Sequence, residues 1–214
     1  DDGYADNLTV AAPLLSRKGM CATFFVASGY LDAGRMWNDG IIESVRRSPL
    51  TELDAGPWGR HPLGDWTARG LAAQSLIAQI KYLEPELREQ AVARVAHAAK
   101  ASLPDDLMMS RAQVRQLHGK GFEIGAHTVS HPILAALPDC VASEQISAGR
   151  RELEAIIDSR VSLFAYPNGK PGRDYTQRHV AMVEEQGFDA AVSTAWGASA
   201  SVSERYQLRR FTPW

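Results

Sequence analysis

The stretch that most constrains this chain is residues 121–132, GFEIGAHTVSHP, where an apolar alternation stops and two histidines follow. Phe122 and Ile124 read as the buried residues of a strand, and Gly125 and Ala126 leave room beside it. His127 and His131 then stand four residues apart, one helical turn, so a chain that coils just after the strand points both imidazoles the same way. A lone histidine more readily caps a turn or packs. A pair at a strand end, followed by Pro132, favours a shared cation.

A third ligand has to come from elsewhere, and the first place to look is Asp1-Asp2-Gly3. Two adjacent carboxylates repel each other and suit a solvated turn unless a divalent ion reverses that preference. One carboxylate then ligates, and its neighbour stays free to take a proton from water.

Elsewhere the chain alternates strands with helices. Residues 6–19 read as a helix capped by Asp6, and residues 21–27 as a strand buried on both faces, with Cys21 a small buried thiol at its head. A helix over residues 36–47 precedes an irregular excursion, 48–65, punctuated by prolines and glycines. Its Trp58, His61 and Trp66 offer sugar-stacking groups, although packing of a long loop is the commoner use of such residues. Helices over 67–83 and 85–101 follow, and Ser110-x-x-Gln113 is a capping box for a helix ending near Gly119. His97 and His118 take no functional role. Beyond His131, helices are expected over 143–158 and 175–186, and strands over 161–166, 188–194 and 206–211. Such alternation suits a parallel sheet covered by helices, either open or closed into a barrel.

Three motifs in order, Asp1-Asp2-Gly3, HTVSHP at 127–132 and FAYPNG at 164–169, together with ATFFV at 22–26, span nearly the whole chain. In this combination the sequence resembles the polysaccharide deacetylases of the NodB-homology type, carbohydrate esterase family 4. The resemblance implies an α/β fold, an irregular (β/α) barrel of about seven strands, formed by one catalytic domain over 1–214 with a loop and helical insertion at 48–110. It implies Asp2, His127 and His131 as ligands of a divalent metal ion, with zinc expected, and Asp1 as the catalytic base. Asn168 would donate its main-chain N–H to the oxyanion. An arginine that many relatives carry in the third motif is replaced here by Ala165, and Arg210, in Leu208-Arg209-Arg210, resembles the later arginine of the branch with FAYP-type motifs. No histidine follows His179, so the late Leu-x-His acid of the family has no counterpart. Because the family's first motif is preceded by an apolar strand, further chain is expected before Asp1 and also after Trp214.

The resemblance also implies an N-acetylated polysaccharide or glycan as substrate. A net charge of −2 with signs interspersed gives no attraction for nucleic acid or an anionic membrane, and no apolar run reaches the ~20 residues that cross a bilayer. Two cysteines, Cys21 and Cys140, are too few for a disulfide scaffold. The family suggests the cell envelope or an exported protein and leaves the cytoplasm open, and nothing in the chain bears on oligomeric state. Two alternatives compete with the deacetylase: a hydrolase of a small amide or acyl ester, and a carbohydrate-binding relative without turnover, which would have no use for Asp1.

Overall fold

In a computed structural model that describes residues 1–32, 34–199 and 202–211, the apolar runs and amphipathic stretches become short strands and helices in alternation. In chain order these are α1 (Ala12–Arg17), β1 (Thr23–Val26), α2 (Trp37–Arg47), β2 (Glu52–Asp54), β3 (Arg60–Pro62), α3 (Trp66–Ile80), α4 (Pro85–Ala98), α5 (Arg111–Gly119), β4 (Glu123–Ala126), α6 (Asp139–Ile157), β5 (Leu163–Ala165), α7 (Gln177–Glu185), β6 (Ala190–Trp196) and β7 (Leu208–Arg210). Packing divides the chain into two compact units, one made of Asp1–Ala33 with Leu107–Trp214 and the other of Gly34–Asp106. The second unit therefore starts earlier than the insertion expected at 48–110, because α2 packs with α3 and α4.

In the first unit β1, β4, β5, β6 and β7 form one sheet in that order, every pair parallel. Parallel neighbours require crossovers, and α6 and α7 supply them between β4, β5 and β6. Within a largely aliphatic core aromatic rings pack in pairs: Phe24 meets Phe122 edge-on at 5.4 Å, and Phe164 lies 5.4 Å from Phe188. The α/β class and the NodB-like arrangement are as expected. Among the described residues this sheet has five strands, and the other two, β2 and β3, pair antiparallel in the second unit. The room that Gly125 leaves on β4 is taken by the Phe25 ring of β1.

The Ser110 box forms as read: the Gln113 N–H donates to Ser110 Oγ at 3.2 Å, and the Ser110 N–H donates to Gln113 Oε1 at 2.8 Å. Asp6 makes no side-chain cap. Pro13 has no N–H to offer the preceding turn, and the chain there widens into a π-turn over Asn7–Ala11, with the Ala12 N–H reaching Asn7 O. Cys21 is exposed rather than buried, because β1 begins only at Thr23, and Cys140 is exposed as well.

The second unit has its own core, including Trp37, Ile41, Leu53, Leu76 and Val95. Arg69 of α3 donates to the carbonyls of Val45 and Arg46, at the end of α2, and to those of Ser48 and Leu50 beyond it. Part of the stretch read as irregular is the β2–β3 hairpin, with Leu53 opposite His61. His61 is buried, and its Nε2 lies 2.8 Å from the Trp58 carbonyl, so it belongs to the fold of the hairpin.

Gly149 shows how closely α6 approaches the histidine loop of the first unit. A Cβ built there would stand 2.7 Å from the Thr128 carbonyl carbon and 2.9 Å from its oxygen. Alanine in a helix interior gains about 1 kcal/mol over glycine, but overpacking against backbone costs about 1 to 3 kcal/mol. Overpacking wins. Gly149→Ala is expected to lower the melting temperature by several degrees, measurable by thermal unfolding, and an unchanged or higher value would show that the loop yields freely.

Candidate functional site

β4 ends at Ala126, and the His127 N–H still bonds to Val26 O at 3.2 Å, so the first histidine continues the line of the strand. The four-residue spacing does not then close as a helical turn. Thr128 and His131 adopt positive φ, 66° and 51°, and the His131 N–H donates to Thr128 Oγ1 at 3.1 Å. Left-handed backbone at residues other than glycine costs about 1 kcal/mol or more and persists where the surroundings over-determine it. Here they do: the Thr128 and Val129 carbonyls accept from the Ser28 and Gly29 N–H groups, and Gln145 of α6 accepts the Ser130 N–H at 2.9 Å. The two rings end 4.7 Å apart.

Asp2 reaches them from beside β1. Its carbonyl accepts from the Ala27 N–H at 3.2 Å, and Asp2 and Gly3 take φ of 75° and 99°, which turns the chain across the strand end. A side chain at Gly3 would meet both that φ and the Val26 Cγ1, 3.0 Å from a built Cβ. Asp2 Oδ1 consequently lies 3.2 Å from His127 Nε2 and 3.2 Å from His131 Nε2. His127 Nδ1 donates to the Ala165 carbonyl of β5 at 2.7 Å, which sets Nε2 toward Asp2. The position without the family's third-motif arginine thus orients a histidine through its backbone.

These donors suit a metal. One atom from each of Asp2, His127 and His131 falls within a 4.8 Å cluster. Bonds of about 2.0–2.1 Å in tetrahedral geometry set ligand atoms about 3.3 Å apart, close to the two Asp2–histidine separations. Two imidazole nitrogens and one carboxylate oxygen are a ligand set that keeps coordination positions open.

Without metal the same geometry acts on protons. Burial pushes the Asp2 carboxyl up, but the His127 hydrogen bond and the charges of His131 and His127 outweigh it, holding the group at about 2 against an ordinary 3.8. A depressed carboxylate pKa stabilises the fold above the unfolded value, and that stability is lost as pH falls through the folded value. Metal-free protein is therefore expected to lose roughly 2 kcal/mol between about pH 4 and pH 2 through this group. Acid titration of stability for the wild type and Asp2→Asn checks this, and identical curves would remove Asp2 as the cause.

Asp1 points elsewhere. Both its carboxylate oxygens accept from Arg210 Nη1, at 3.0 and 2.8 Å, while Arg210 Nε donates to the Ser193 carbonyl at 2.9 Å. Arg210 is the last residue of β7, so this pair ties the N-terminal segment to an outer strand of the sheet. Burial pulls the Arg210 guanidinium below its ordinary value and the Asp2 charge opposes this. Asn168 follows β5 at φ 59°, centred in a tight turn in which the Gly169 N–H reaches Pro167 O at 2.7 Å. Thr194 ties that turn to β6, donating through Oγ1 to Asn168 O at 2.9 Å and through its N–H to Gly169 O at 2.8 Å. The structure thus groups Asp2 with both histidines and Asp1 with Arg210, and sets Asn168 three residues beyond Ala165. Ser193, which anchors Arg210, carries no sequence signal because it acts through its carbonyl.

The sequence matches the polysaccharide deacetylase family over residues 1–191. Among solved structures, Streptococcus pyogenes deacetylase PplD in complex with acetate is 15% identical with a TM-score of 0.61, over 99% of this chain and 61% of that one. The BpsB deacetylase domain from Bordetella bronchiseptica is 15% identical with a TM-score of 0.58, over 99% and 68%. IcaB from Ammonifex degensii is 17% identical with a TM-score of 0.59, over 100% and 66%. At these identities the likeness is one of fold, and the chain spans about two thirds of the length of the three structures. No match is found among curated proteins. With the family match running through all three motifs, the chain belongs to the polysaccharide deacetylase family.

Proposed function

We propose that the chain removes N-acetyl groups from amino sugars of a polysaccharide or glycan, using a divalent metal ion, zinc in the first instance, held by Asp2, His127 and His131. The observation that carries this reading is the convergence of those three side chains next in sequence to a carboxylate, Asp1, that an arginine holds in place. When bound, the ion supplies Lewis acidity that makes a water easier to deprotonate and an acyl carbonyl easier to attack. Asp1 accepts the proton of that water as general base, and Arg210 keeps its carboxylate oriented. The water oxygen forms the new bond to the acetamide carbon, the proton taken from the water ends on the nitrogen as the carbon–nitrogen bond breaks, and acetate and the free amine leave. The Asn168 N–H, which has no hydrogen-bond partner among the described residues, donates to the oxyanion. His127 keeps its tautomer through the Ala165 carbonyl, so Nε2 remains a ligand. Acetate release from N-acetylglucosamine oligomers, with and without chelation and zinc repletion, tests the reading. Zinc-restored release supports it, and a metal-replete protein that releases no acetate from any N-acetylated glycan overturns it.

A further inference from the structure

Trp196 closes β6 and Phe211 follows β7, and each is 64% exposed. Scattered exposed apolar residues are ordinary. These two are in contact, with ring centres 5.2 Å apart and planes at 87°. Trp196 is also the register partner of Arg210, across a pairing that slips between Val192 and Trp196, an irregularity of the kind that re-aims side chains at strand ends. Phe211 is bonded to Arg210, whose guanidinium holds Asp1. A preformed aromatic surface therefore sits one residue from the group that fixes the proposed base. At this angle one ring can offer its flat apolar face, braced edge to face by the other and with little conformational freedom to lose, and the C–H face of a pyranose is a matching surface.

We propose that Trp196 and Phe211 form a stacking platform for a sugar ring of the substrate chain other than the ring that bears the scissile acetamide. This rests on the deacetylase reading and deepens it: the site prefers a polymeric glycan to a small acylated amine. Binding energy from a remote ring assists the reaction of an oligomer and is unavailable to a monomer. The test compares N-acetylglucosamine hexasaccharide with N-acetylglucosamine. In Trp196→Ala the ratio of kcat/KM for hexasaccharide to that for monomer should fall roughly three- to tenfold, as loss of one aromatic contact implies, and Trp196→Phe should recover most of it. Calorimetric binding of the hexasaccharide to metal-stripped protein should weaken by the same factor, a readout independent of turnover. Wild-type activity on the hexasaccharide with an unchanged ratio and unchanged affinity in Trp196→Ala overturns the platform and leaves the deacetylase reading standing. A metal-replete wild type that acts on neither substrate nor on other N-acetylated glycans overturns both.

Discussion

Asp1→Asn is expected to cut acetate release by about a hundred- to ten-thousand-fold, the usual contribution of a positioned general base, while metal content stays near that of the wild type. The two halves of that result have separate causes. Asparagine has no lone pair basic enough to take the proton of water, so the chemical step fails. Asparagine does keep an oxygen that accepts from Arg210 Nη1, and the Asp1 carboxylate is not among the three clustered donors, so the local shape and the metal site persist. His127→Ala makes the contrast, because it deletes one of three donors and leaves the Ala165 carbonyl without its imidazole partner. That variant should lose metal and activity together. Metal per chain by mass spectrometry and acetate release, measured on the same preparations, separate base from ligand. An active Asp1→Asn protein would move the role of base to another residue.

How much of this was legible in the sequence depends on whether side chains or backbone carry the geometry. Asp2, His127 and His131 were legible as a group because their types and order persist in motifs. Their route together was not. The four-residue spacing suggests a helical turn, and the chain uses left-handed residues at Thr128 and His131, pinned by contacts from Ser28 and Gly29, just beyond β1, and from α6 that no local pattern encodes. Arg210 was reachable only through the family resemblance, since an arginine on a terminal strand is ordinary by itself. The Ala165 and Ser193 carbonyls orient His127 and Arg210, and a carbonyl leaves no trace in residue type. The helices were legible to within a few residues because amphipathic periodicity repeats over many positions. The β2–β3 hairpin was not: two three-residue strands among prolines and glycines are too short for alternation to register.

Arg210→Ala is expected to lower kcat by about ten- to a hundredfold with metal content unchanged and little change in stability. The stability half follows from exposure. The Arg210 and Asp1 side chains are 27% and 33% exposed, and ion pairs reached by solvent contribute at most about 1 kcal/mol, or a few degrees of melting temperature in a chain of this length. The catalytic half follows from geometry. One guanidinium nitrogen bridges both Asp1 oxygens while Nε is pinned to the Ser193 carbonyl, so the carboxylate is located relative to β6 and β7. Without the arginine, Asp1 keeps its basicity as a residue type and loses its address. Arg210→Lys discriminates charge from address, because lysine carries the charge but has a single nitrogen and cannot hold Asp1 and the Ser193 carbonyl in one rigid fork. If orientation dominates, lysine should restore only a small part of the loss, and if charge dominates it should restore most of it. KM on an acetylated oligosaccharide should change little in either variant, since the pair acts on the base. A fall in metal content in Arg210→Ala would show that the arginine acts through its electrostatic coupling to Asp2 instead, and would reassign it from the base to the metal site.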